Sequence, residues 1–476
     1  MIAGAIEQYP DETLVRRLAR IAAGGGFVFG CSTAVISGAL SSIDALFIQP
    51  LSLSETGRNA LSGLTVSSAL FGCILGASLA GLLGARYGRK AGLLWAAVLF
   101  LVSAVGSAVP ELGMGRLGEA GAPALILFFA YRFVCGIAAG LISTLAPLYI
   151  VEIAPPAARG RLGTYFQIAV VSGVVCVYFT NWLIASGHDE HWLHSVGWRL
   201  MLGSTALPAL LFMVSLRSLS DTPRGWVLRG RSDRALEVLR RLTSQTQAQQ
   251  TLSEIQDSLT STRGSLFSFG WRVLVLGSVL AVFQQLTGIN AILYYLPLLA
   301  EHMGESAERA LLQTALVGGG TTLFTFVAMF GSDVWGRKPL LVVGAVIMSA
   351  SMFALAWMLI KGITGLPALL AVGAFLSAFA FSWGPVLPVL LPELYPTPIR
   401  SQALGIAMAL QWIANILVSW SFRVLDGNSA LNASYHHGLP YLIYGAMSLL
   451  AAAFVWRFVP ETKGRPLEEI QRSLRL

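Results

Sequence analysis

The sequence predicts an all-α membrane protein, and three observations carry that prediction: its composition, its long apolar runs and the placement of its positive charges. Of the 476 residues, 55% are hydrophobic and 12% are charged, and the mean hydropathy is +0.68. A soluble globular protein carries about 25% charged residues. Because so few charges cannot solvate the surface of a chain of this length, lipid must be the solvent over much of that surface.

The apolar runs are long enough to cross a bilayer, since a helix needs roughly 20 mainly apolar residues to span the hydrocarbon layer. Twelve runs meet this requirement, six before a polar interval and six after it: 20–41, 61–83, 91–110, 124–147, 162–185, 198–219, 272–297, 311–331, 339–361, 365–391, 401–422 and 439–459. We therefore predict 12 transmembrane helices in two six-helix halves, an N-terminal half over 1–219 and a C-terminal half over 272–476.

The polar interval 220–271 separates the two halves. It contains a run of arginines followed by a stretch rich in Gln, Thr and Ser. Segment 233–242 is typical of a short amphipathic helix, with Leu236, Leu239 and Leu242 along one stripe. We predict a linker with short helices, because the interval is too short to form a catalytic domain.

The positive charges lie mostly on one side of the predicted membrane. Of the 32 Lys and Arg, 25 fall in the termini and the connections on the same side, six fall on the other side, and Arg132 falls within a span. By the positive-inside rule, both termini and the linker are cytoplasmic in a multi-pass protein of the cell membrane. The net charge of +8 is thereby explained by topology and indicates no nucleic-acid partner.

Two short motifs occur once in each half. RYGRK at 86–90 returns as VWGRK at 334–338, and EIAPPAARGR at 152–161 returns, less closely, as ELYPTPIRSQ at 393–402. Each motif follows the second or the fourth span of its half. Parallel repetition of six-helix units is the arrangement of major facilitator transporters, whose substrate site lies between the halves at the middle of the membrane.

An ordered set of longer motifs makes the resemblance more specific. The matching segments are GGGFVFGCSTAVISGAL (24–40), Arg-x3-Gly-x3-Gly at Arg132, Gly136 and Gly140, PLYIVEIAPPAARGR (147–161), QQLTGINAILYY (284–295), SWGPVLPVLLPELYPTPIR (382–400), QWIAN (411–415) and VPETKGR (459–465). With them the chain resembles the sugar porters of the major facilitator superfamily, most of all bacterial glucose-facilitator and xylose-permease proteins. The resemblance implies alternating-access transport of a monosaccharide, glucose or a related hexose or pentose, by a protein that functions as a monomer without cofactors.

A sugar site needs neutral hydrogen-bonding groups and an aromatic surface in a dry cavity. Gln284, Gln285 and Asn290 supply amides at membrane depth, and Gly288 permits an unwinding of the helix that brings Gln285 and Asn290 together. In the second cluster, Gln411 and Asn415 share a helix face beside Trp412, whose ring can stack on a sugar.

The resemblance implies that both clusters are sugar ligands. It adds Gln167 from the first half and Thr321, which replaces the usual asparagine of the family, while Pro388 replaces a usual tryptophan. The alternative is that these amides only hold helices together.

Charged residues at the predicted cytoplasmic ends form a second set. The resemblance implies ion pairs that bridge helix ends when the carrier faces outward and break as it opens inward; the alternative is that they only anchor the helix ends. The residues are Arg89, Glu152, Arg159 and Arg161 in the first half, and Asp333, Arg337, Glu393 and Arg400 in the second.

Titratable groups decide between uniport and symport. None of the 24 Asp and Glu lies in the middle of a predicted span, and all six His fall in predicted external loops. Ser32 and Thr205 stand where proton-coupled members of the family carry acids. We therefore expect facilitative uniport, with proton-coupled sugar symport as the alternative; a nutrient sensor with a transporter fold is a third reading, which the short tails disfavour.

The sequence does not predict an enzyme. No nucleophile–base set and no phosphate-binding loop is seen, and the four cysteines show no metal-binding spacing.

Overall fold

The computed structural model describes residues 12–112, 121–155, 159–260, 271–302, 304–395 and 399–461. Within these ranges all regular elements are helices, and 11 segments are long and apolar enough to cross a membrane: Thr13–Ile48, Glu55–Arg86, Arg89–Ala108, Pro123–Ile153, Leu162–Ala185, Glu190–Ser218, Trp271–Glu301, Arg337–Ile360, Leu366–Leu391, Ala403–Asp426 and Leu439–Phe458. The predicted run 311–331 lies in a further helix, Ala307–Trp335. The predicted all-α fold is confirmed, and we number these 12 spans in chain order.

Several spans are composed of shorter pieces. The first joins Glu12–Ala34, Ile36–Ile43 and Asp44–Ile48; the sixth joins Glu190–Trp192, Leu193–Gly197, Trp198–Ser204, Ala206–Ser215 and Leu216–Ser218; the seventh joins Trp271–Leu286 and Ile289–His302; the tenth joins Leu366–Phe381 and Trp383–Leu394. The fourth, fifth and eleventh spans belong to helices Gly121–Ile153, Arg159–Ala185 and Arg400–Asp426, and a short helix Ser429–Tyr435 precedes the twelfth.

The first helix begins at Glu12, well before the predicted start at 20. Val15, Leu18 and Ala19 are buried against the rest of the bundle, whereas the intervening arginines interrupt the apolar run that the prediction used. The helix therefore continues on an amphipathic face beyond the hydrocarbon layer.

Contacts between spans repeat with an offset of six. In the first half the second span packs on the fourth, the first on the fifth, and the third on the fourth and sixth; in the second half the same pairs recur as eighth on tenth, seventh on eleventh, and ninth on tenth and twelfth. Of the pairs that join the halves, second with eleventh and fifth with eighth are also equivalent under this offset, and the first span packs on the seventh. The molecule is thus two similar six-helix halves packed side by side.

Glycines allow the second and fourth spans to approach closely. A Cβ atom on Gly136 would lie 1.7 Å from the carbonyl oxygen of Ala69, and one on Gly76 would lie 2.1 Å from that of Ile137. Only glycine fits at such backbone contacts. The glycines of the Arg-x3-Gly-x3-Gly motif therefore let the second and fourth spans pack closely. This packing fixes the depth of Arg132 within the first half.

The linker forms three helices, Pro223–Leu228, Ser232–Leu242 and Gln245–Thr260. The second coincides with the predicted helix 233–242. Its buried residues are Ala235, Leu239 and Leu242, whereas Leu236 is half-buried. The buried stripe therefore begins at Ala235, one residue before the predicted first member, Leu236. The domain boundaries around the linker remain a prediction.

Hydrogen bonds between described residues join the two halves on one side of the bundle. We call the side that carries the linker the terminal side, and the side that carries connections 49–54 and 427–438 the distal side. Hydrogen bonds between the halves on the distal side join Asn59 to Gly427 (2.6 Å), Ala60 to Trp420 (3.1 Å), Glu55 to Ser429 (2.8 Å), Ser186 to Glu308 (3.1 Å) and Asp44 to Arg423 (2.7 Å). The structure is therefore closed on its distal side.

Candidate functional site

The seventh span is broken at mid-length by Gly288. Its backbone φ is +88°, in the left-handed region, and a Cβ atom there would lie 2.4 Å from the ring of Tyr444. Helix Trp271–Leu286 therefore ends before it and Ile289–His302 begins after it. Across this break Asn290 Nδ2 donates to Gln285 Oε1 at 2.6 Å. On a continuous helix these two side chains would lie about 140° apart, so the break creates the pair.

Gln284 connects three spans. Its Nε2 atom donates to the carbonyl oxygen of Trp383 at 2.8 Å, and its Oε1 atom accepts a hydrogen bond from Gln411 Nε2 at 2.8 Å. Trp383 begins the second piece of the tenth span, after a break at Ser382. The sequence analysis missed the Trp383 carbonyl as a partner, although the Ser-Trp-Gly-Pro sequence is a signal of a helix break.

The eleventh span brings Trp412 and Asn415 to the interface between the halves. Trp412 is buried within an apolar cluster otherwise formed by the first six spans and the linker. Its Nε1 atom has no hydrogen-bond partner within the described ranges, and Asn415 Oδ1 accepts from Ser419 Oγ at 3.0 Å. A buried indole N–H normally has a partner, so this one is available to an acceptor such as a sugar oxygen.

The two remaining predicted ligands are not joined to this cluster by hydrogen bonds. Thr321 is half-buried and its hydroxyl donates to the Gly318 carbonyl at 2.7 Å. Gln167 is half-buried on the fifth span. The amide cluster therefore consists of Gln284, Gln285, Asn290 and Gln411, with Trp412 and Asn415 one turn along.

Gln285→Ala or Asn290→Ala is expected to weaken sugar binding by about 1–3 kcal/mol, or roughly 5- to 150-fold, because each leaves a buried polar partner unpaired. Isothermal titration of purified variants measures this. Gln250→Ala is the matched control, since that amide is exposed on a linker helix, far from the amide cluster in sequence, and donates to Glu254. Unchanged affinity in both test variants would remove these residues from the site.

On the terminal side, Arg89 and Glu152 form a buried bidentate ion pair. Arg89 Nε and Nη2 donate to the two carboxylate oxygens of Glu152 at 2.9 and 2.7 Å. Thr222 Oγ1 donates to the same carboxylate at 2.5 Å, and Arg89 Nη1 donates to the carbonyl of Gly84 at 2.8 Å. The pair ties the start of the third span to the end of the fourth and to the linker.

Two carboxylates that the sequence analysis did not assign cap equivalent helices. Asp221 accepts from the backbone N–H of Arg89 at 2.9 Å, and Glu461 accepts from those of Arg337 and Lys338 at 3.0 and 3.1 Å. Asp221 also forms an ion pair with Arg229. Anions at helix N-termini are stabilised by the free N–H groups and the helix dipole.

The rest of the predicted charged set lies outside the described side chains: Arg159, Arg161, Asp333, Glu393 and Arg400. The second-half counterpart of the Arg89–Glu152 pair therefore stays a prediction.

A charged network closes the distal side. Asp44 Oδ2 accepts from Ser62 Oγ and from Arg423 Nη2, both at 2.7 Å, and so joins the first span to the eleventh. Arg423 also lies 3.8 Å from Asp426, whose Oδ1 atom is 3.0 Å from His437 Nδ1. We call these residues the distal network. Local sequence patterns gave no signal for it, because Asp44 and Arg423 are 379 positions apart.

The hydrogen bond to Asp426 raises the pKa of His437 above its ordinary value of 6.5. A raised folded-state pKa adds stability that is fully present below the unfolded value and is lost as pH rises through the folded one. Wild type should therefore lose stability relative to His437→Gln as pH rises from 6.5 upward. Thermal unfolding across pH 5–9 measures this difference. Asn432→Ala, which loses a neutral bond to the Asp426 carbonyl (2.6 Å), should instead lose the same stability at every pH.

Comparison with known proteins decides the family. A family model described as "Sugar (and other) transporter" matches residues 18–474. The chain belongs to this family of sugar transporters. The D-xylose-proton symporter of Escherichia coli is 45% identical over 456 residues, covering 94% of this chain and 93% of the relative. The glucose facilitated diffusion protein of Zymomonas mobilis is 40% identical over 472 residues, covering 98% of each.

Solved structures agree with this assignment. The xylose transporter XylE from E. coli, in a partially occluded inward open conformation, superposes with a TM-score of 0.86 at 42% identity, covering 95% of this chain and 99% of that one. XylE bound to 6-bromo-6-deoxy-D-glucose superposes with a TM-score of 0.83 at 44% identity. The chain is therefore a sugar transporter of the major facilitator superfamily and not an enzyme.

Proposed function

We propose that this sugar transporter is a uniporter that carries a monosaccharide down its gradient. The observation that carries the proposal is the surroundings of Arg132, a charged residue buried in the first half. Arg132 lies at a small cavity that is also lined by Ser32 and Thr205. Neither of these two side chains titrates at physiological pH. A symporter needs a group that takes up and releases a proton in each cycle, and arginine cannot do this.

The substrate is a neutral aldose of hexose or pentose size. The cluster supplies the neutral amides of Gln284, Gln285, Asn290 and Gln411. Trp412 adds an apolar ring whose N–H has no hydrogen-bond partner among the described residues. Such a set suits the hydroxyls and the apolar ring faces of a sugar. The relatives act on D-xylose and on glucose, so both sugars belong in the first uptake panel.

The transport cycle is alternating access between the two halves. We assign the terminal side to the cytoplasm, because the Lys and Arg residues are concentrated there. With its distal side closed, the structure then corresponds to an inward-facing carrier. One chain supplies both halves of the pathway, so the protein functions as a monomer in the cell membrane.

Proton-coupled symport is the second candidate, and two observations favour it. The E. coli relative is a D-xylose-proton symporter. In addition, Asp44 is a buried carboxylate between the halves, bound to Arg423 and Ser62. Protonation of Asp44 would weaken its attraction to Arg423 and open the distal network, which is one way to couple a proton to a conformational change.

Reconstituted liposomes distinguish the two functions. We expect labelled glucose or xylose to equilibrate across the membrane without accumulating, at a rate that an imposed pH gradient and a protonophore leave unchanged. Accumulation above the external concentration, abolished by the protonophore, would contradict uniport. If Asp44→Asn then still equilibrated sugar but no longer accumulated it, Asp44 would be the coupling group.

A further inference from the structure

We propose that a small monovalent anion of halide size binds beside Arg132, in a cavity between the first, third, fourth and sixth spans. The site lies inside the first half and is separate from the amide cluster. Three features carry the proposal: an uncompensated buried charge, unpaired donors that face one cavity, and the size of that cavity.

The charge of Arg132 is poorly compensated by the protein. The residue is 4% exposed, and the described residues include no Asp or Glu in an ion pair with it. Nη1 makes two long contacts, 3.4 Å to the Ser32 carbonyl and 3.8 Å to Cys135 Sγ. Guanidinium stays protonated in proteins, and an unpaired buried ion costs several kcal/mol. A counter-charge is therefore expected close by.

Two donors are unpaired at the cavity. Arg132 Nε and Ser107 Oγ have no hydrogen-bond partner in the described part of the chain, and Ser107 is 2% exposed. Both residues line the cavity with Ser32, Ser103, Thr205 and Phe100. The hydroxyls of Ser32 and Thr205 donate to carbonyls of their own helices, at 3.0 and 2.8 Å. The donors left for a guest thus include a cation and a hydroxyl, which together favour an anion.

The size of the cavity selects a single small guest. The centre of a water-sized sphere has about 10 Å³ in which to move, which is close to the minimum for one water molecule. A sugar or a phosphate would not fit, whereas chloride would after small side-chain movements. Water would satisfy the hydrogen bonds but leave the charge of Arg132 uncompensated.

Thermal unfolding of the purified protein in sodium chloride and in sodium gluconate at equal ionic strength tests the proposal. A bound anion stabilises the folded state by mass action, so we expect chloride to raise the melting temperature saturably, by about 2 °C or more. Ser107→Ala should raise the chloride concentration for half-effect about fivefold. Ser349→Ala, which removes a buried serine from the ninth span that bonds Gly445 (2.8 Å), should leave it unchanged.

Ser32→Asp gives the complementary result, because it supplies a tethered carboxylate. This variant should be insensitive to chloride and as stable in gluconate as wild type in chloride. In crystals grown with bromide, anomalous scattering should place one bromide within hydrogen-bonding distance of Arg132 Nε. Identical melting in both salts together with no bromide at this position would overturn the proposal and assign the cavity to water.

Discussion

Glu152→Ala is expected to lower the free energy of unfolding by about 3–5 kcal/mol, because removing one partner of a buried ion pair leaves the other charge without compensation. Glu152 accepts hydrogen bonds from both Nε and Nη2 of Arg89. The side chain of Glu152 is 7% exposed and that of Arg89 is 6% exposed. The substitution also removes the acceptor of the Thr222 hydroxyl. Three elements lose their common contact at once: the third span, the fourth span and the linker.

Thermal or denaturant unfolding of protein purified in detergent measures the loss. Glu237→Ala is the matched control, because it breaks an Arg241–Glu237 pair of similar length (2.6 Å) whose side chains are 66% and 61% exposed. Exposed pairs contribute about 0–1 kcal/mol. If the two variants lost the same stability, burial would not strengthen the contribution of the Arg89–Glu152 pair, and the prediction would be wrong.

The architecture could be predicted from sequence because its signals are local. Each span is a long apolar run, and the motif repeats show that two halves exist. The ends of the spans were harder to place, since helices continue into polar residues where one face stays buried, as Val15 and Leu18 do in the first helix. The break in the seventh span contains Gly288, and the break in the tenth, at Ser382, comes just before Gly384 and Pro385. The effect of Gly288 could be predicted from its residue type.

The site was predictable in its chemistry but not in its connections. Amides at membrane depth are rare enough to be noticed, so Gln285 and Asn290 could be paired in advance. Gln284 donates to the backbone carbonyl of Trp383. Every residue has a backbone carbonyl, so the sequence gives no signal for this partner. Asp44 and Arg423 are each unremarkable in sequence, since an ion pair across two halves depends on how the halves dock.

Arg423→Ala is expected to open the distal side, since it removes the group that holds Asp44 and Ser62 of the first half to the eleventh span. These side chains are partly accessible, 16% for Arg423 and 10% for Asp44, so the loss is smaller than for a fully buried pair. A charged hydrogen bond contributes about 2 kcal/mol, which shifts the ratio of distal-open to distal-closed molecules about thirtyfold.

Cysteine labelling from the distal side measures that shift. Val66 is buried in the distal half of the second span, so Val66→Cys reports opening when Cys176, the exposed native cysteine, is replaced by serine. Arg423→Ala should speed labelling of this reporter by a membrane-impermeant maleimide.

The matched control is Arg199→Ala. It breaks an ion pair with Glu111 of equal length, 2.7 Å, which also lies on the distal side but within the first half. Arg199→Ala should lower stability without changing the labelling rate, because it does not act between the halves. Equal acceleration by both variants would mean that labelling reports local loosening, and no acceleration by Arg423→Ala would show that the distal network does not hold the halves together.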